Sequence, residues 1–410
     1  MEAFPILIIS MTAFVTKKIG GSWLSPGAFF STCWTFFLLF PLLLAPNYNI
    51  NISGLWYIVI FSMSCSCGAL LANRIYKSKQ IILYSKTNNY DLLIKPFYFF
   101  ILISFLGLFL LSNYVLNKYN YQYYNTNYLS IPNLIAIDRY SGNSNYPTLI
   151  KYSLYCIYPA NLLGGLILSF KNLSFKIKAI TFSPLFAALL LGIIEGARSS
   201  ILLGLILFFS AWLSSQTIDE NYKKTNHIFK VIVGGIFFTI GFTLLFIVIQ
   251  WLRQGMDKIV FELIFDRVQA YFFGYLAAFT QWFVNIEGNS FSGGLNTFAG
   301  PFNLIGIIER PLGFYEPISI SSGISTNIFT AFRGIVNDFS ISGSIIIVFI
   351  LGFIFQVFFE NINSKKIIST LPLSMFYAFT LYSPLISIFH YNSIMFSWLI
   401  VFLVIRDKQN

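Results

Sequence analysis

Apolar runs long enough to cross a bilayer follow one another along almost the whole chain. About twenty consecutive apolar residues span the hydrocarbon core as a helix. Runs of that order lie near 28–46, 54–73, 96–116, 150–170, 179–194, 199–214, 231–250, 341–359, 371–389 and 392–405, with a shorter one at 4–15 and a further candidate within 268–286. Lipid offers no water to backbone polar groups, so each run must close its own hydrogen bonds as a helix. The expected fold is an all-α polytopic membrane protein of about 11–12 transmembrane helices, a single integral membrane domain over residues 1–410. Charge agrees, because only 10% of the residues are Asp, Glu, Lys or Arg, against about 25% in a soluble domain. No basic segment precedes the run Phe4–Val15, so it is expected to stay as a span and not to be cleaved as a signal.

Lys and Arg in the loops set the orientation. One set of loops, holding Lys17, Arg74, Lys95, Lys176, Lys223, Lys365 and Arg406 among others, carries 17 basic residues and five acids, a net of +12. The other set carries nine basic residues and ten acids, a net of −1. The basic side is expected to be cytoplasmic. The overall charge of +11 is thus a topology signal, and no nucleic-acid partner is expected. Cys33, Cys65, Cys67 and Cys156 all fall inside apolar runs and read as small buried apolar residues. With no H-x-x-x-H, no D-x-D and no placed cysteine pair, no metal and no other cofactor is expected.

Two long segments lie on the outer side. The first, 117–149, contains K-Y-N-Y-Q-Y-Y-N-T-N-Y. Its tyrosines Tyr121, Tyr123 and Tyr124 suit either stacking on sugar rings or an interfacial aromatic belt. The second, 251–340, contains an apolar helix candidate at 268–284 and then the turn-rich G-N-S-F-S-G-G-L-N-T-F-A-G-P. Loops of such length in a membrane protein usually carry function, and short helices are expected within this one.

Several polar residues share that outer level. Glu195 and Arg198 sit in one short turn, Arg253 follows a middle span, Asn327, Arg333 and Asp338 precede the span at 341–359, and His390 lies between the last two. Each has a plain explanation: arginines snorkel, Glu195 and Arg198 are near enough in sequence to pair, and Asp338 can cap a helix. Together they suit a lipid-linked diphosphate carrying a glycan. Arginine's planar fork binds phosphate oxygens in pairs and keeps its charge. Fixed guanidinium groups would stabilise the charge that develops on a leaving diphosphate. A sugar hydroxyl acceptor would want a base, and His390 or a carboxylate such as Asp338 could supply it, with Glu195 a further candidate in the same layer.

The pattern T-A-F-R-x-x-x-x-D-F-x-x-x-G (Thr330 to Gly343) resembles the bacterial O-antigen, or oligosaccharide repeat-unit, polymerases of the Wzy family. So do G-A-R-S-S (Gly196 to Ser200), L-R-Q-G around Arg253, and S-P-G-A-F-F-S-T-C-W (Ser25 to Trp34). The resemblance implies a GT-C-like membrane glycosyltransferase of the bacterial inner membrane, active on its periplasmic face. Such an enzyme moves a glycan from undecaprenyl diphosphate to the non-reducing end of another lipid-linked repeat unit. It also implies diphosphate-binding roles for Arg198, Arg253 and Arg333, a catalytic role for Asp338, and a polysaccharide chain-length regulator as partner. The family carries Gly after D-F, where this chain has Ser340. Two other readings stay open: an O-antigen ligase with the same architecture, and a lipid-linked oligosaccharide flippase or other transporter. No two-half symmetry of the kind transporters show is visible.

Overall fold

The computed structural model describes residues 3–76, 91–122, 130–142, 146–170, 173–218, 244–252, 258–286, 291–309, 314–362 and 367–406. Its helices run α1 (Ala3–Gly20), α2 (Pro26–Leu44), α3 (Ile52–Tyr76), α4 (Asp91–Gln122), α5 (Ile131–Tyr140), α6 (Thr148–Tyr155), α7 (Ile157–Leu168), α8 (Phe175–Thr181), α9 (Ser183–Ile194) and α10 (Arg198–Gln216). Then come α11 (Lys258–Val284), α12 (Ala299–Leu304), the strands β1 (Ile318–Ser321) and β2 (Ile324–Thr326), α13 (Ala331–Glu360), α14 (Leu371–Tyr382) and α15 (Asn392–Arg406). Among the described residues seven helices are long and apolar enough to cross a membrane: α1, α2, α3, α4, the α8–α9 pair, α10 and α13. Two shorter apolar helices cover Ile367–Tyr382 and Asn392–Arg406. The chain is a helical, multi-pass membrane protein. Its exposed faces agree, since Phe4, Leu7, Met11 and Phe14 on α1, and Phe99, Leu102, Leu106 and Phe109 on α4, are exposed at helical spacing. Apolar stripes of that kind need lipid.

Three sequence expectations change in detail. The run 150–170 is two helices, broken at Cys156. Pro159 has no N–H to give the carbonyl of Tyr155, so the ladder fails there. The run 179–194 begins earlier, at Phe175, and steps at Phe182 just ahead of Pro184. The long segment 251–340 contains a β-hairpin besides its helices: β1 pairs antiparallel with β2, Ile318 opposite Thr326. Of the run 231–250, residues 231–243 lie outside the described residues, and 244–252 are helical.

Contacts divide the chain into two compact units. One comprises residues 1–87, 213–225 and 269–395, the other 88–212, 226–268 and 396–410. In the first, α3 and α13 cross at two glycines. A Cβ on Gly68 would lie 2.0 Å from the carbonyl oxygen of Phe349, and one on Gly352 would lie 2.0 Å from that of Cys65. Lipid gives helices no hydrophobic reason to associate, so close backbone contact and buried polar groups must do it. Ser31 and Ser66 share a hydrogen bond of 2.8 Å between α2 and α3, and Ser64 donates to the carbonyl of Ile345 at 2.8 Å. Phe332 is the hub of the same core, with ring centroids 3.8 Å from Phe61 and 4.3 Å from Trp34. In the second unit α7 is buried from Ile157 to Ile167, as expected of a helix apolar all round. Asn161 ties it to α9 by donating to the carbonyl of Pro184 at 3.3 Å.

The α3–α13 crossing yields a prediction. Gly352→Ala puts a methyl group into backbone, so the helices must separate, at about 1–3 kcal/mol. The melting temperature of the detergent-purified variant should fall. An unchanged midpoint would contradict the crossing.

Candidate functional site

The site grows from a break in α13. Ser340 has φ 63° and ψ 176°, a conformation close to exclusive to glycine. Just before the break, the loop that starts at Phe291 packs on the backbone of Asn337 and Asp338. Gly293 donates its N–H to the carbonyl of Asp338 at 3.1 Å, and the Ser292 hydroxyl oxygen lies 3.2 Å from the carbonyl oxygen of Asn337. The Asp338 carboxylate, 0% exposed, completes the grip. Its Oδ1 accepts from the Ser292 hydroxyl at 2.7 Å and from both the backbone N–H and the Nδ2 of Asn296 at 2.9 Å. Its Oδ2 accepts from the Thr297 N–H at 2.7 Å. A buried carboxylate is costly unless hydrogen-bonded, and four donors, two of them backbone, satisfy it. Gly293 (φ 61°) and Gly294 (φ 99°) let the loop curl around the carboxylate. Ser340 also gains something: its hydroxyl accepts from the Gly343 N–H at 3.4 Å, the geometry of a cap on the second half of α13.

Asn296 carries the chain of contacts onward. Its carbonyl oxygen lies 3.3 Å from Nδ1 of His390, a residue 2% exposed. The His390 ring meets Phe314 edge-on at 4.6 Å. A Cβ on Gly300 would come within 2.4 Å of the His390 carbonyl oxygen, so the start of α12 lies directly on the turn Ile388–His390.

Arg333 stands on the same two turns of α13 as Asp338. Its guanidinium carbon is 4.0 Å from the ring centre of Phe329, 4.1 Å from that of Tyr315 and 5.2 Å from that of Trp282. The walls of this cage are themselves fixed. Tyr315 and Phe329 belong to a core with Ala45, Tyr48, Ala277 and Ile320, against which Trp282 packs. The hairpin that supplies Ile320 is pinned by its backbone, which accepts from the Asn49 N–H at 2.8 Å. Burial pushes the Tyr315 hydroxyl well above its ordinary pKa, with Asp338 adding to this and Arg333 opposing it. The Nε of Arg333 is buried with no hydrogen-bond partner among the described residues. Stacked rings cover a guanidinium's faces and leave its edge donors, and those donors are the chemistry the cage offers. An oxyanion is the ligand that suits them.

The other compact unit has a polar cluster of its own. Glu195 pairs with Arg139, Nη2 to Oε2 at 3.5 Å, and the same nitrogen donates to the Glu195 carbonyl at 3.1 Å. Burial raises the Glu195 pKa, while Arg139 and Tyr146 beside it act to lower it. Gly196 makes the turn with φ 58°. Arg198 lies with its guanidinium carbon 4.4 Å from the ring centre of Phe246. Nearby, Lys118 and Tyr119 at the end of α4 both bind Asp138 of α5, at 2.6 and 2.8 Å. The Lys118 hydrogen bond leads in holding the Asp138 carboxyl below its ordinary pKa.

Of the residues the sequence singled out, the structure brings Asp338 and His390 together on the loop 291–300, with Arg333 five residues before Asp338 on α13, in its aromatic cage. Glu195 is engaged with Arg139, a partner 56 residues earlier that sequence spacing did not reveal. Asn327 is exposed between β2 and α13, and Tyr121 falls in the last turn of α4. Arg253, Tyr123 and Tyr124 lie outside the described residues. Reading the sequence missed Ser292, Asn296, Tyr315, Phe329 and Trp282. A signal for the first two existed in S-G-G-L-N-T, where paired glycines precede an amide and a hydroxyl, whereas no spacing announces the cage.

No protein-family model, curated protein or solved structure matches this chain. The site's chemistry therefore rests on its geometry.

Two predictions test this geometry. Ser340→Val places a β-branched residue at positive φ and should lower the unfolding midpoint, by about 1–3 kcal/mol of strain beyond the lost cap; Ser340→Gly should be tolerated. Equal midpoints for the two variants would contradict the strained backbone. Arg139→Leu strands a largely buried carboxylate and should cost about 3 kcal/mol, most of it recovered in Arg139→Leu/Glu195→Leu. A double variant no more stable than the single one would show that the pair does not matter.

Proposed function

We propose that this chain is a membrane glycosyltransferase that polymerises lipid-linked oligosaccharide repeat units on the periplasmic face of a bacterial inner membrane. The observation that carries the reading is Arg333, an aromatic-caged guanidinium with a buried, unsatisfied Nε, beside the buried Asp338–Asn296–His390 chain of contacts. The apolar spans suit a polyprenyl tail, and the large segment before α13 suits a glycan.

In this reading the edge of Arg333 holds the diphosphate of the donor lipid. A hydroxyl oxygen at the non-reducing end of the acceptor bonds to the donor's anomeric carbon. The bond from that carbon to the diphosphate oxygen breaks, and the electron pair leaves with the diphosphate. Arg333 stabilises the charge that develops there in a partly desolvated setting, without reorganisation. His390 takes the hydroxyl proton. Asp338 is better suited to holding the loop than to serving as the base, because its two oxygens already accept four donors. Glu195, tied to Arg139, is likewise a structural partner here. A chain-length regulator is the partner that the resemblance implies.

The reading is tested in the host. Deleting the gene and running surface polysaccharide on a gel should replace the ladder of long chains with a single repeat unit. Loss of every unit would mark a ligase or a flippase instead. In purified enzyme with lipid-linked repeat units, Arg333→Ala should lower turnover by about 10²–10³-fold. Arg333→Lys should not restore it, because an ammonium cannot fill a planar slot or present a fork. Full activity in both variants would remove the assignment.

A further inference from the structure

Asn296 does more than fill the space between Asp338 and His390. It gives two donors to one side of the site, its backbone N–H and Nδ2, both to Asp338. It turns its carbonyl to the other side, 3.3 Å from Nδ1 of His390. A carbonyl oxygen can only accept, so the hydrogen between these atoms must sit on Nδ1. In the neutral ring that leaves the lone pair on Nε2.

We infer that Asn296 is the positioning residue for His390: its carbonyl, held in place by the Asp338 carboxylate, locks the imidazole in the Nδ1–H tautomer and makes Nε2 the proton-accepting atom. The arrangement differs from a carboxylate bonded directly to an imidazole. Here the carboxylate grips a peptide segment, and the segment's own carbonyl orients the ring. Neutral histidine in water prefers the opposite tautomer, so the bias has to come from the protein. The loop is gripped at three successive points, Ser292, Asn296 and Thr297, all on Asp338. The ring is steadied on its other sides by Phe314 and by Tyr391, whose ring centre is 6.1 Å away. Among the described residues, the ionisable groups of the surrounding elements include Asp338 behind Asn296, Tyr391 with Tyr382 at 3.0 Å from its hydroxyl, and Tyr315 with Arg333 and Glu316 beyond Phe314. The assignment of Nε2 as the base rests on the polymerase reading; the tautomer lock does not.

The sequence makes the test clean. The chain has two histidines, His227 and His390, so the full-length protein with His227→Gln, labelled with ¹⁵N-histidine in lipid nanodiscs, shows one imidazole. Its two nitrogen shifts above the ring's pKa report the tautomer. The expected result is predominantly Nδ1–H, shifting towards a mixture in Asn296→Ala, which loses a donor to Asp338, and in Asp338→Asn. A ring that is mostly Nε2–H in the otherwise native protein overturns the inference. So does an Nδ1–H ring that neither variant disturbs, because the clamp would then not position it. The parallel assay is turnover with lipid-linked repeat units. Asn296→Ala should lower kcat within the range of about 10²–10⁴-fold that a general base supplies, with KM little changed. If the tautomer is as stated but His390→Gln polymerises at full rate, the base reading fails while the positioning role stands.

Discussion

The buried carboxylate of Asp338 is the interaction on which the region around α12 and the start of α13 depends. It sits at the end of a half-helix, just before a break that no ordinary helix would tolerate, and it collects four donors from one loop. The break and the carboxylate form one device. Ser340 breaks the helix, and just before it the carbonyl of Asp338 accepts from Gly293 while its carboxylate accepts from Ser292. The loop so held then fixes the turn that carries His390.

Arg333 stands on the same helix as Asp338, with a different set of neighbours. One helical step separates it from Phe332, which fills the core between α2, α3 and α13. That step turns its side chain into the cage of Trp282, Tyr315 and Phe329. Rigid packing on one side and a preset cation on the other is the arrangement a transition state rich in negative charge needs. It follows from two neighbouring residues obeying helical geometry. The hairpin between α12 and α13 supplies the remaining support, since Ile320 joins Tyr315 and Phe329 in a single small core.

The helical architecture was legible because apolar length is a physical requirement of the bilayer. The breaks were partly legible: Pro159 and Pro184 lie where the ladders fail. The hairpin was not. I-S-I-S-S-G-I-S-T alternates over too few residues to stand out in an apolar chain, and its stability comes from docking on the 45–51 turn and not from its own pattern. Arg333, Asp338 and His390 could be named because charge is rare in such a chain, so each polar residue near a span carries information. Their roles could not be divided, because the division depends on what surrounds them. Asp338 reads as a free acid in T-A-F-R-G-I-V-N-D-F and turns out to be saturated. Glu195 reads as a partner for Arg198, three residues on, but its ion pair is with Arg139. Ser340 breaks the family-like pattern in sequence yet takes a glycine-like backbone conformation.

The central claim is that the caged guanidinium of Arg333 binds the diphosphate of a polyprenyl-linked glycan. Native mass spectrometry of the detergent-released protein with a polyprenyl diphosphate lipid measures this directly. The account predicts that the lipid stays on the native protein and is lost from Arg333→Gln, with the monophosphate lipid held less well by the native protein. Equal retention of the diphosphate lipid by the native protein and Arg333→Gln would contradict it.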